Sequence, residues 1–187
     1  MKQYESGRKL NEKIMNGVNK LADAVGATLG PRGRNVIIKG HNTKPLITKD
    51  GVTVAKFVDF DDPFENLGAQ TIKQASEETN SSAGDGTTTS TMLARAILDK
   101  SQSHLVAGIS PIEIKRGIDM AVTSIVEQLK EKAKPVSTKE EIEQIATISA
   151  NGDKGIGALI GNAVDAVGKD GAITIQEAKS NDTSLEL

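Results

Sequence analysis

The sequence predicts a mainly α-helical protein with a few short β-strands. Two observations carry that expectation. Apolar residues recur at three- and four-residue spacing in segment after segment, which is the signature of helices with one buried face. Runs rich in β-branched residues are confined to short stretches bounded by Gly, Pro and Asn, and no strand–helix alternation of the doubly wound type is present.

The elements follow in order. Leu10, Ile14, Val18, Leu21, Val25 and Leu29 form one face of a long first helix, stopped by Gly30, Pro31 and Gly33. Asn35–Lys39, Pro45–Thr48 and Val52–Val58 read as three short strands, with Lys49, Asp50 and Gly51 as the turn between the last two. A second helix starts at Pro63, acceptable in a first turn, and is broken by the cluster Asn80–Gly84. A third covers Thr88–Val106 and ends at Gly108. Ser110 and Pro111 open a fourth, striped by Ile114, Ile118, Ala121, Val122, Ile125, Val126 and Leu129. Ser137–Glu140 is a capping-box pattern opening a fifth helix. A sixth runs over Asp153–Val167, and Ala172–Glu177 reads as a final strand.

Composition excludes several function classes. Cysteine is absent, which removes disulfides, thiolate metal sites and cysteine nucleophiles. Aromatic residues are 2% and the net charge is −2, with no basic stripe, so nucleic-acid binding has no electrostatic footprint. No apolar run is long enough to span a bilayer, and the N-terminal stretch has no secretory core, so no membrane partner is expected and the expected location is the cytoplasm. Val167–Asp170 is not a P-loop end, because Asp170 stands where Ser or Thr is needed. Gly155, Gly157 and Gly161 read as small residues for close helix packing, His41 and His104 lack ligand spacing, and Met92 and Met120 read as core.

One stretch carries chemistry. Ala83–Thr91 reads AGDGTTTST and precedes a helical run. The start of a helix presents backbone N–H groups without partners and a partial positive charge, so it favours anions. Gly84 and Gly86 permit close approach, and Thr87, Thr88 and Thr89 add hydroxyls. Asp85 would repel a bare phosphate, but a divalent cation between them resolves the conflict, since Mg²⁺ is held by one or two carboxylates plus phosphate oxygens. The same stretch is also an ordinary Asp-Gly turn and helix cap. Thr28–Asn35 offers a stiff backbone wall or a plain helix stop, and Lys49–Gly51 offers a second acid or a plain turn.

TLGPRGRNV, ITKDGVTVAK, AGDGTTTST, KRGID and TISAN occur together in the order and spacing of the group I chaperonins, which the chain resembles across essentially its whole length. The resemblance implies an equatorial-type helical ATP-binding portion over residues 1–134 and the ascending part of a small α/β intermediate domain over 135–187, hinged at Pro135. It implies that Thr28, Leu29, Gly30 and Pro31 flank the nucleotide, and that Thr28 and Lys49 lie near the phosphates and, through backbone oxygens, a K⁺ ion. It implies Asp85 as the Mg²⁺ ligand, Gly86–Thr89 as the phosphate loop, and Asp50 as the catalytic acid beside the γ-phosphate and its attacking water. Ile148 and Ser149 would approach the nucleotide on domain closure.

The activity so implied is an ATPase that drives enclosure and release of non-native proteins in a homo-oligomeric ring. A cochaperonin would dock through an apical domain that this sequence does not contain. The apical domain, a further catalytic acid and the second half of the equatorial domain are expected elsewhere, so the chain reads as an N-terminal fragment or a naturally short subunit. Alone it would bind ATP weakly and hydrolyse it poorly. The alternative is a non-catalytic assembly or interaction module.

Overall fold

The computed structural model describes residues 4–39, 44–168, 171–176 and 183–186. Its described elements are seven helices and one antiparallel pair of strands: α1 Gly7–Gly26, β1 Val36–Ile38, β2 Leu46–Thr48, α2 Gly51–Phe57, α3 Pro63–Ala83, α4 Thr87–Val106, α5 Pro111–Lys132, α6 Lys139–Ser149 and α7 Lys154–Val167. Val36, Ile37 and Ile38 pair with Thr48, Ile47 and Leu46. The chain forms two compact units, residues 1–120 and 121–187, the division falling within α5.

The first unit is built around α1. Val18, Leu21, Ala22 and Val25 are fully buried against Val54 and Ala55 of α2 and Ala69 and Ile72 of α3. With so few aromatics, close approach replaces bulk. A Cβ on Gly17 would run into the Glu65 carbonyl, and one on Gly68 into the Ile14 carbonyl, so α1 and α3 touch backbone to backbone. Polar contacts flank this seam. The Lys13 ammonium meets Asp62 at 2.8 Å and lies over the Phe64 ring. The Lys20 ammonium meets Glu65 at 2.6 Å and lies over Phe60. The hydrogen bond from Lys13 holds the Asp62 carboxyl below its ordinary pKa, and that from Lys20 does the same for Glu65.

Several elements differ from the sequence expectation. Val52–Val58 is not a strand: α2 occupies it. Strand alternation would put Lys56 on one face with Val52, Val54 and Val58, whereas helical spacing gathers Gly51, Val54, Ala55 and Val58 toward the core. Tertiary burial therefore overrides β-branched propensity. Lys49–Gly51 is accordingly no hairpin turn; Asp50 is the N-cap of α2. The first helix ends at Gly26, so Leu29 lies beyond it and is exposed. The second predicted helix continues through Asn80 to Ala83 and stops at Gly84, whose φ of 73° is the left-handed cap conformation. Met120 is exposed, not core, while Met92 packs beside the core and against Gly26.

In the second unit the capping box is shifted by one residue. Thr138 and Glu141 form it, the Glu141 carboxylate accepting from the backbone N–H groups of Ser137 and Thr138, which lower its pKa together with Lys134. Gly157 and Gly161 are buried against Thr147 and Glu143, as the small-residue reading expects, whereas Gly155 is exposed in the first turn of α7 and meets only the capping Asp153, so it serves no helix packing. Residues 172–176 form no strand, because no described segment pairs with them to complete a ladder. Glu177, His41, Lys169 and Asp170 lie outside the described residues. No described helix is long and apolar enough to cross a membrane.

Candidate functional site

Three helix ends meet in the first unit. α1, α2 and α4 pack on one another, and the contact at their ends is specific. A Cβ on Gly51, the first residue of α2, would strike Thr88 Oγ1 on the first turn of α4 and would come within 3.2 Å of Val25 Cγ1 at the end of α1. The segments KDG and GDGTTT are therefore brought together by packing beside the end of α1, although they lie far apart in sequence.

The loop after α1 is closed by its own backbone. Thr28 Oγ1 donates to the Val25 carbonyl at 2.7 Å, Gly33 N–H to Gly30 at 2.9 Å, and Arg34 N–H to Ala27 at 2.8 Å. Pro31 sits at the second position of the Gly30–Gly33 turn, which its fixed φ favours. Gly30 has φ 73°, and open space surrounds the position a Cβ would take there. Leu29, Gly30 and Pro31 are exposed.

The start of α4, like that of α1, has no side-chain cap hydrogen bond. Gly86 is the N-cap at φ 83°, so Thr87, Thr88 and Thr89 present their N–H groups with no capping side chain over them. Gly84, also left-handed, borders open space. Asp85 is exposed, and its Oδ1 accepts from Gly86 N–H at 2.6 Å. The five hydroxyls divide. Thr91 Oγ1 donates to the Thr87 carbonyl at 2.9 Å, and Ser90 Oγ donates to the same carbonyl. Thr87 is buried, Thr88 faces Gly51, and Thr89 is exposed.

Asp50 is half-buried between these parts. Its N–H donates to Thr48 Oγ1 at 3.0 Å, and its Oδ2 accepts from Thr53 N–H at 2.9 Å and from the Thr53 hydroxyl. Lys49 is exposed. Thr53 is a functional candidate that the sequence reading passed over; its position three residues after Asp50 is the available signal, once α2 is known to be a helix. Ile148 and Ser149 belong to the second unit. There Ser149 lines a largely apolar groove of about 540 Å³ with Ile142, Ile145, Ile156, Ile160 and Ile175.

Among the described residues no three His, Asp or Glu side chains gather to hold a metal. A cation at Asp85 would draw its remaining ligands from phosphate oxygens and water, as Mg²⁺ ordinarily does. The room beside Gly84 and the uncapped N–H groups of α4 fit such an anion–cation pair.

The fold and this meeting of glycine-rich helix ends define a helical domain with an anion-favouring loop. Residues 21–186 match the profile of the TCP-1/cpn60 chaperonin family, and the chain belongs to that family. Solved structures agree. The chaperonin gp146 of bacteriophage EL 2 (Pseudomonas aeruginosa), in the presence of ATP-BeFx, matches in one crystal form at 30% identity and TM-score 0.70, over 84% of this chain and 28% of that one. A second crystal form matches at 29% identity and TM-score 0.71, over 86% and 28%. A group III chaperonin in the open state shares the fold at 22% identity and TM-score 0.69, over 84% of this chain and 32% of that one. The chain thus spans about a third or less of these relatives' length.

Proposed function

We propose that this chain is the nucleotide-binding part of a group I chaperonin subunit, with residues 1–134 equatorial and 135–187 intermediate. KRGID and TISAN favour group I. The observation that carries the reading is the packing of Gly51 against Thr88, which holds the start of α2 beside the uncapped start of α4. In the complete protein ATP hydrolysis would drive enclosure and release of non-native proteins within a homo-oligomeric ring in the cytoplasm, with a cochaperonin as partner.

The roles follow from what each group can do. Bound ATP with Mg²⁺ would supply the scissile phosphate linkage and the neutralising charge. The N–H groups of Thr87, Thr88 and Thr89 would hold phosphate oxygens, and Gly84 and Gly86 keep that approach clear. Asp85 would carry the cation. Thr28, Leu29, Gly30 and Pro31 would form the wall against the nucleotide, and backbone oxygens of Thr28 and Lys49 would serve a K⁺ ion. Asp50 would orient the attacking water, with positioning and charge neutralisation supplying most of the rate. The test is Asp85→Ala in the full-length protein. Mg²⁺-dependent ATP affinity is lost if the reading holds; unchanged affinity would reduce the loop to a helix cap.

A further inference from the structure

We propose that Thr53 is a positioning residue for Asp50, fixing its carboxylate for the hydrolytic step. The inference rests on the reading that Asp50 serves hydrolysis. An N-cap carboxylate needs only a backbone N–H from the first helical turn. Here the third residue of α2 supplies two donors, its N–H and its hydroxyl, and both go to the same oxygen, Oδ2. Among the described residues no hydrogen bond reaches Oδ1. One oxygen is anchored and the other is left for a ligand.

The rest of Asp50 is held equally firmly. Its N–H is bound by Thr48 Oγ1, and its carbonyl accepts from the N–H of Val54, a residue with no exposed surface. Thr53 is itself restricted. A Thr on a helix has two χ1 options, and the one adopted here puts the hydroxyl on Asp50 Oδ2. The Gly51–Thr88 contact places this assembly against the first turn of α4. Thr53 therefore touches no reacting atom in this scheme; it acts by denying the carboxylate its rotation.

The experiment uses the full-length protein and four variants, Thr53→Val, Thr53→Ser, Asp50→Asn and the Asp50→Asn/Thr53→Val double, measured for ATP turnover, KM and thermal midpoint. Thr53→Val keeps the shape and the N–H but removes the hydroxyl. It should lower kcat on the order of tenfold, as loss of an orienting hydrogen bond does elsewhere, with KM for ATP within about twofold of wild type. Thr53→Ser should restore most of kcat. In Asp50→Asn, adding Thr53→Val should lower kcat no further, because the two act as one unit. Three results overturn the proposal: Thr53→Val with wild-type kcat while Asp50→Asn is impaired, Thr53→Ser as slow as Thr53→Val, or an additive double variant. Asp50→Asn with wild-type turnover would instead sink the role of Asp50 itself.

Discussion

Replacing Gly51 by Ala adds one methyl group at the most crowded point of the site. That methyl would overlap Thr88 Oγ1 and sit 3.3 Å from Thr88 Cβ and 3.2 Å from Val25 Cγ1. Rotating the Thr88 hydroxyl away relieves only the first of these, because the Cβ is fixed to the helix. The start of α2 must then give way from Thr88 and Val25 by a few tenths of an ångström, and overpacking of this kind costs about 1–3 kcal/mol. The usual gain from Gly→Ala in a helix interior is at most ~1 kcal/mol, and Gly51 is a first helical residue, where less of it is realised. A net loss of about 1–2 kcal/mol in urea unfolding is expected by the difference of those terms. Hydrolysis should slow severalfold, since Asp50 moves with α2 and a displacement of a full ~1 Å can cost about 100-fold in rate. Single-turnover ATP hydrolysis reads this directly. Gly108→Ala is the control: it carries the strain of a positive φ but meets no neighbour, so its hydrolysis should stay near wild type. A Gly51→Ala protein that is stabilised and hydrolyses ATP at the wild-type rate would refute the close contact and the coupling drawn from it.

Gly68→Ala should destabilise the first unit by about 1–3 kcal/mol in urea unfolding, because its methyl meets the Ile14 backbone, which has no rotamer to retreat to; a variant as stable as wild type would contradict the backbone contact. Acid should also destabilise the protein. Asp62, Glu65 and Glu141 all have pKa values lowered on folding, so their contribution is present above the ordinary carboxylate values of 3.8 to 4.5 and is lost as pH falls through the lowered ones. Asp62→Asn should flatten that acid limb of the thermal midpoint. Lys13 has the opposite sign: its pKa is raised above 10.5 by Asp62, so its contribution persists until pH rises through the raised value.

The long helices were legible because their punctuation is local. Pro63, Gly84, Pro111, Asp153 and Gly168 mark ends that chain neighbours alone decide. α2 was not, because VTVAKFV satisfies two periods at once and the core chose between them. Lys56 was the available warning: it spoils a strand face and leaves the helix face intact. The capping box slipped because Ser137 and Thr138 are both suitable caps, and only the reach of the Glu141 carboxylate selects Thr138. The residue types of the site were visible in AGDGTTTST and KDG. Their juxtaposition was not, since it depends on a glycine facing a threonine 37 positions away. The division of labour among the hydroxyls was equally hidden, because Ser90 and Thr91 turn back to the Thr87 carbonyl only once α4 has formed.

A structure of the full-length protein with Mg²⁺ and a non-hydrolysable ATP analogue tests the central claim most directly. The account predicts phosphate oxygens within hydrogen-bond distance of the Thr87, Thr88 and Thr89 N–H groups, the cation at Asp85, and Asp50 Oδ1 turned toward the γ-phosphate. A nucleotide bound elsewhere, or an α4 N-terminus left without phosphate at saturating analogue, would contradict it.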